Sequence, residues 1–177
     1  VAGAQRFLRR LWTYCQDQKA LITTGKAQLN SDWLISGVEL DEASQDARHS
    51  IHTTLEKALV DFDKNQFNTV IAACMTILNH LPSADKTAAA PVAAEGTSIL
   101  LRLLSPIAPH ICHSLWNELA DQDILSAPWP KADSSALTLS SIELVVQVNG
   151  KVRAKIKMPA DTDKATLEAT ALANENV

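Results

Sequence analysis

The chain has 177 residues, 46% hydrophobic and 20% charged, with a formal net charge of −4. That suits one domain of ordinary size, or one plus a small appendage, with enough apolar material for a core. A mildly acidic whole excludes general attraction to nucleic acid or acidic membrane, so any polyanion site must be local, and no apolar run of about 18 residues is present to span a membrane.

No secretory leader precedes the first pattern, and an amphipathic stretch starts almost at Val1, as expected of a piece cut from something longer. Residues 4–17, AQRFLRRLWTYCQD, read as a helix whose apolar stripe is Phe7, Leu8, Leu11, Trp12 and Cys15. Arg6, Arg9 and Arg10 share the opposite face. That face could meet phosphates or simply be solvated. After Gly25 the stretch TGKAQLNSDWLISG reads as an irregular link, with Trp33 and Leu34 tucked against the helices.

A longer helix fits 41–63, where Leu40, Ala43, Ala47, Ile51, Leu55, Ala58, Leu59 and Phe62 recur by threes and fours. The next, over 67–80, carries Phe67, Val70, Ile71, Cys74 and Leu78 and is stopped by Pro82. Residues 83–91, SADKTAAAP, are expected to connect it to a fourth helix over 92–104. Pro106 and Pro109 punctuate the entry to a fifth over 108–120, with Ile111, Cys112, Leu115, Trp116 and Leu119 on its stripe. Five such stripes predict a mainly α fold, an antiparallel helical bundle over 1–120.

Beyond Ala120, DQDILSAPWPKADSSALTLSS reads as a linker over 121–140. Trp129, between two prolines, is expected to staple it to the bundle. Then the apolar period falls to two, in SIELVVQV before Asn149-Gly150 and KVRAKIKMP after it. Asn-Gly is a strong hairpin signal, because both central residues of the favoured turn take positive φ. Asp161 or Thr162 can cap a last helix carrying Leu167 and Leu172, so 141–177 is expected to be a small α+β unit with a β-hairpin.

The candidates for chemistry are few. His49 and His52 are placed on the polar face of the second helix, His110 and His113 on that of the fifth. Neither pair has the neighbours of a zinc site or a triad, so both are expected at the surface. Cys15, Cys74 and Cys112 fall on apolar faces and read as buried thiols in a reducing cytosol. No catalytic or metal site is expected. Lys151, Arg153, Lys155 and Lys157 stand at every second position of a strand about 20 Å long, which places them on one side of it. Such a stripe either protects a sheet edge or tracks a phosphate backbone.

LLSPIAPHICHSLWNEL (103–119), FNTVIAACMTILN (67–79) and AQRFLRRLW (4–12) resemble the anticodon-binding bundle of class I aminoacyl-tRNA synthetases for leucine, isoleucine and valine. APWP (127–130) with VVQVNGKVR (145–153) narrows the resemblance to the bacterial leucine branch, although Ala154 stands where that branch often has glycine. The resemblance implies a tRNA-binding piece of a monomeric, cytoplasmic ligase that charges tRNA(Leu) using ATP and Mg. It makes Arg6, Arg9 and Arg10 backbone contacts and places Lys151 and Arg153, with Lys155 and Lys157 just beyond the motif, near the outer corner of the tRNA. The H-I-G-H and K-M-S-K-S signatures of the ATP site are absent, so this piece is not expected to aminoacylate alone. It also implies a further strand after LANENV, without which a two-stranded sheet is marginal. The rivals are an isoleucine or valine enzyme, whose bundle reads anticodon bases, and a helical protein-interaction scaffold.

Overall fold

A computed structural model describes residues 2–83, 89–120 and 122–138 in full, and residues 141–148 and 151–159 by their backbone. The chain divides into two compact units, Val1–Leu137 and Thr138–Val177.

The first unit is helical: α1 Ala2–Asp17, α2 Lys19–Lys26, α3 Glu42–Asp63, α4 Phe67–His80, α5 Ala90–Leu104, α6 Pro109–Leu119 and a single turn, α7, at Ser134–Leu137. Local chemistry sets the boundaries. The Asp41 carboxylate accepts from the Ser44 N–H at 2.8 Å and caps α3. Asn65, at φ 56°, makes the left-handed turn into α4, a conformation that Asn tolerates. Leu81 is extended because Pro82 follows it, which ends α4.

Four of the predicted helices match α1, α3, α4 and α6 to within about two residues. α5 begins two residues before the expected position, at Ala90. It is not one stripe among five, because every residue from Ala90 to Leu104 is buried. α2, α3, α4 and α6 all pack against it. α2 covers Lys19–Thr23, where the spacing predicts no element, and runs into the first residues of the expected link. It docks Leu21 and Ile22 on Ala90, Ala93 and Ala94, and small residues on both sides let the backbones approach. A Cβ on Gly25 would run into the Ala90 carbonyl.

The three cysteines are buried and unpaired by disulfides, as expected. Trp116 is fully enclosed, and its ring centroid lies 4.5 Å from that of Trp33. Trp33 holds φ 64°, a strained value for a bulky side chain. The Asn30 side chain steadies that loop by accepting from the N–H groups of Asp32 and Leu34. Trp12, expected in the core, is 42% exposed. The buried track of α1 is only Phe7, Leu11 and Cys15, and Trp12 sits on its flank.

Residues 122–137 do not behave as a linker but lie within the first unit. Ile124, Pro130 and Ala136 are buried there. Trp129, 41% exposed, packs its ring 4.9 Å from Phe62.

In the second unit β1 (Ser141–Val148) pairs antiparallel with β2 (Lys151–Pro159). The register runs from Ser141 opposite Pro159 to Val148 opposite Lys151, with a shift between Val146 and Gln147. Since Val146 pairs with Ala154 and Gln147 with Val152, Arg153 is the extra residue. The expected alternation through Lys151, Arg153, Lys155 and Lys157 is therefore interrupted at Arg153, as a bulge requires. The Asn149-Gly150 turn and the helix expected after Pro159 lie outside the described residues.

Candidate nucleic-acid interface

α1 presents its cations where a helix with one narrow buried track must. Arg6, Arg9 and Arg10 are all exposed, and no acidic residue precedes Asp17 in the chain. Arg10 donates from Nη2 to Oδ1 of Asn79 on α4 at 2.7 Å, which fixes one guanidinium against the neighbouring helix. Arg9 and Arg10 border a cleft of about 360 Å³ together with Thr13, Tyr14, Asp17, Gln18 and Leu78. Two arginines in its lining suit a phosphate, and Asp17 in the same lining limits how many anions it can take. The structure thus keeps the α1 arginines together. Lys151, Arg153, Lys155 and Lys157 all fall on β2, and their side chains lie outside the described residues.

The histidines divide. His110 and His113 are exposed, as expected, and border a cleft of about 300 Å³ with Ser105, Pro109, Ile124 and Leu125. His52, expected at the surface, is fully buried. Its Nδ1 accepts the Asp133 N–H at 3.0 Å, so the ring proton sits on Nε2. Nε2 lies 3.2 Å from Glu95 Oε2, outside hydrogen-bond geometry.

This ring belongs to a buried polar cluster that sequence reasoning missed. The Arg48 guanidinium forks onto Glu95, from Nε at 2.7 Å and Nη2 at 2.9 Å, and Nη2 also reaches Asp133 Oδ2 at 2.6 Å. Glu95 Oε1 also accepts the Ile35 N–H at 2.9 Å. Burial pushes the Glu95 carboxyl up, but His52 and Arg48 outweigh it and hold the group below its ordinary 4.5. Arg48 stays firmly charged: burial opposes its charge, and Glu95 and Asp133 more than restore it. Arg102, whose guanidinium burial lowers to about 10, donates to the Pro128 carbonyl at 2.7 Å. The available signal was position. Ser44, Arg48 and His52 fall four apart beside Ile51 and Leu55, and Glu95 lies among alanines. Among the described residues, no group of three or more His, Cys, Asp or Glu could hold a metal.

A family model described as the anticodon-binding domain of tRNA ligases matches residues 44–169. The chain is 48% identical over its whole length to a leucine–tRNA ligase of Herminiimonas arsenicoxydans, covering 20% of that protein. It is 45% identical, again over its whole length, to the leucine–tRNA ligase of a Coxiella burnetii strain, covering 22%. In three dimensions, 97% of the chain matches 21% of a chain in the ternary complex of LeuRS, tRNA and LeuAMS from Agrobacterium radiobacter, with a TM-score of 0.75 and 25% identity. The chain thus spans about a fifth of the length of these relatives.

Proposed function

The chain belongs to the family of anticodon-binding domains of tRNA ligases, and from that premise we propose that it is the tRNA-holding part of a bacterial leucine–tRNA ligase. The observation that carries this reading is 48% identity across the entire chain to a leucine–tRNA ligase. Leucine joins its tRNA in a catalytic core outside this chain, using ATP and Mg. The residues here offer that chemistry no site, since the ATP-binding signatures are missing. The parent acts as a monomer in the cytoplasm.

The task of this piece is positional. Arg6, Arg9 and Arg10 on α1 take phosphates of tRNA(Leu). The unit from residue 141 onward begins a C-terminal tRNA-binding domain in which Lys151, Arg153, Lys155 and Lys157 grip the outer corner. Phosphate contacts fix orientation without reading sequence, so no base-specific pocket is required of the bundle.

The test is a titration of tRNA(Leu) onto the full-length ligase across a salt series. Affinity falls steeply with salt, and replacing Lys151 and Arg153 with alanine weakens binding and flattens the logarithmic salt slope by about 0.7–0.9 per lost phosphate contact. A slope unchanged when all seven cations are neutralised overturns the reading in favour of a protein-interaction scaffold.

A further inference from the structure

We propose that the buried cluster around Arg48 is a latch that fixes where the chain leaves the bundle, and thereby sets the reach of the tRNA-binding unit that follows; this rests on the function proposed above. The latch has donors and acceptors on α3 and α5 and a strap formed by residues 122–137. Arg48 holds the Asp133 carboxylate at 2.6 Å and the Ser135 hydroxyl at 3.2 Å. His52 accepts the Asp133 N–H. His49 Nδ1 is 2.9 Å from the Ala136 carbonyl oxygen, so this ring nitrogen carries the proton and donates. Upstream, Arg102 binds the Pro128 carbonyl and Trp116 Nε1 donates to the Gln122 carbonyl at 2.9 Å.

These bonds do something that apolar burial along the strap cannot. The strap buries only Ile124, Pro130 and Ala136, and Leu125 is 86% exposed. Apolar contact, including that of the Trp129 ring on Phe62, is non-directional and does not by itself select one register. A carboxylate held by a buried guanidinium, with its own N–H on a buried imidazole, has one register. The latched Ala136 carbonyl oxygen lies one residue before the end of the first unit at Leu137. The Arg48–Asp133 pair is partly buried, so desolvation offsets part of its attraction and its net stabilisation is modest, whereas it can specify a single arrangement. Asp133 is therefore a positioning residue, acting through the strap and not by touching tRNA.

The experiment uses the full-length ligase with Asp133→Ala, and with His49→Ala as a second variant that leaves the Arg48–Glu95 pair intact. Hydrogen exchange at Ser135, Ala136 and Leu137 is expected to accelerate at least about tenfold while the bundle helices stay protected. The KM for tRNA(Leu) is expected to rise on the order of tenfold, as misplacement of a binding element does, with leucine activation, followed by ATP–pyrophosphate exchange, unchanged. In a background where Lys151 and Arg153 are already alanine, Asp133→Ala should add nothing further to KM. Faster exchange with an unmoved KM overturns the latch, as does a KM effect that simply adds to that of the lysine and arginine changes. Should Asp133→Ala unfold the bundle, the same outcomes are read from His49→Ala. The two failures separate. Charging indifferent to Lys151 and Arg153 overturns the proposed function, whereas charging sensitive to them and indifferent to both strap variants overturns the latch alone.

Discussion

α5 and α1 are nearly the same length, 15 and 16 residues, yet one is enclosed on every side and the other buries a single track. α5 achieves enclosure with small residues, Ala90, Ala93, Ala94 and Gly96, and still carries Glu95 and Arg102 into the interior. α1 spends its polar positions on exposed arginines. A charge on α5 must therefore be answered by a partner inside the protein, whereas a charge on α1 stays in contact with solvent. The interior helix decides how the fold is put together; the surface helix decides what it can meet.

Four substitutions or conditions sharpen that contrast. The largest effect is expected from Glu95→Ala, which takes from the buried Arg48 guanidinium its two-bond carboxylate partner and should cost about 3–5 kcal/mol in urea denaturation. Next is Gly25→Ala, where the new Cβ meets the Ala90 carbonyl and pushes α2 off α5. A loss of about 1–3 kcal/mol by the same measurement is the expected result, and a neutral outcome would show that the two helices can separate freely.

Acid comes third. Glu95 and Asp133 are held below their ordinary 4.5 and 3.8. Groups depressed in the fold contribute stability that is full above those ordinary values and drains as pH falls through the lower folded ones. The urea midpoint should therefore stay level between about pH 7 and about pH 5 and decline below about pH 4.5. Asp133→Asn should make the decline shallower. The smallest effect on stability belongs to the triple change of Arg6, Arg9 and Arg10 to alanine. Calorimetry should show an unmoved unfolding temperature, while the salt-dependent affinity for tRNA(Leu) falls.

The same contrast explains what could be read from the sequence. Helices that bury one face announce it by spacing, and α1, α3, α4 and α6 follow their stripes, with Cys15, Cys74, Cys112 and Trp116 inside as the period requires. α5 was visible as a helix but not as the centre, because alanine, glycine and serine carry no strong apolar signal even when wholly buried. α2 was invisible. Lys-Ala-Leu-Ile-Thr-Thr-Gly-Lys holds two β-branched threonines and a glycine near its end, and its helix exists because Leu21 and Ile22 find α5. The polar cluster was hidden for a further reason. Spacing puts His52 on the polar face of its helix, and only the fold brings Asp133, 81 residues away, onto its ring nitrogen. The α1 arginines, needing no partner from elsewhere in the chain to be recognised, were legible from the outset.

The three enclosed sulfurs carry a consequence of their own. Burial pushes Cys15, Cys74 and Cys112 up to about 12, so at neutral pH each is a protonated thiol sealed from solvent and a poor nucleophile. Electrophiles and oxidants in the surrounding medium have no thiolate to attack while the helices stay closed. The fold thus shields its own sulfur chemistry, and alkylation at any of the three would mark molecules that have opened.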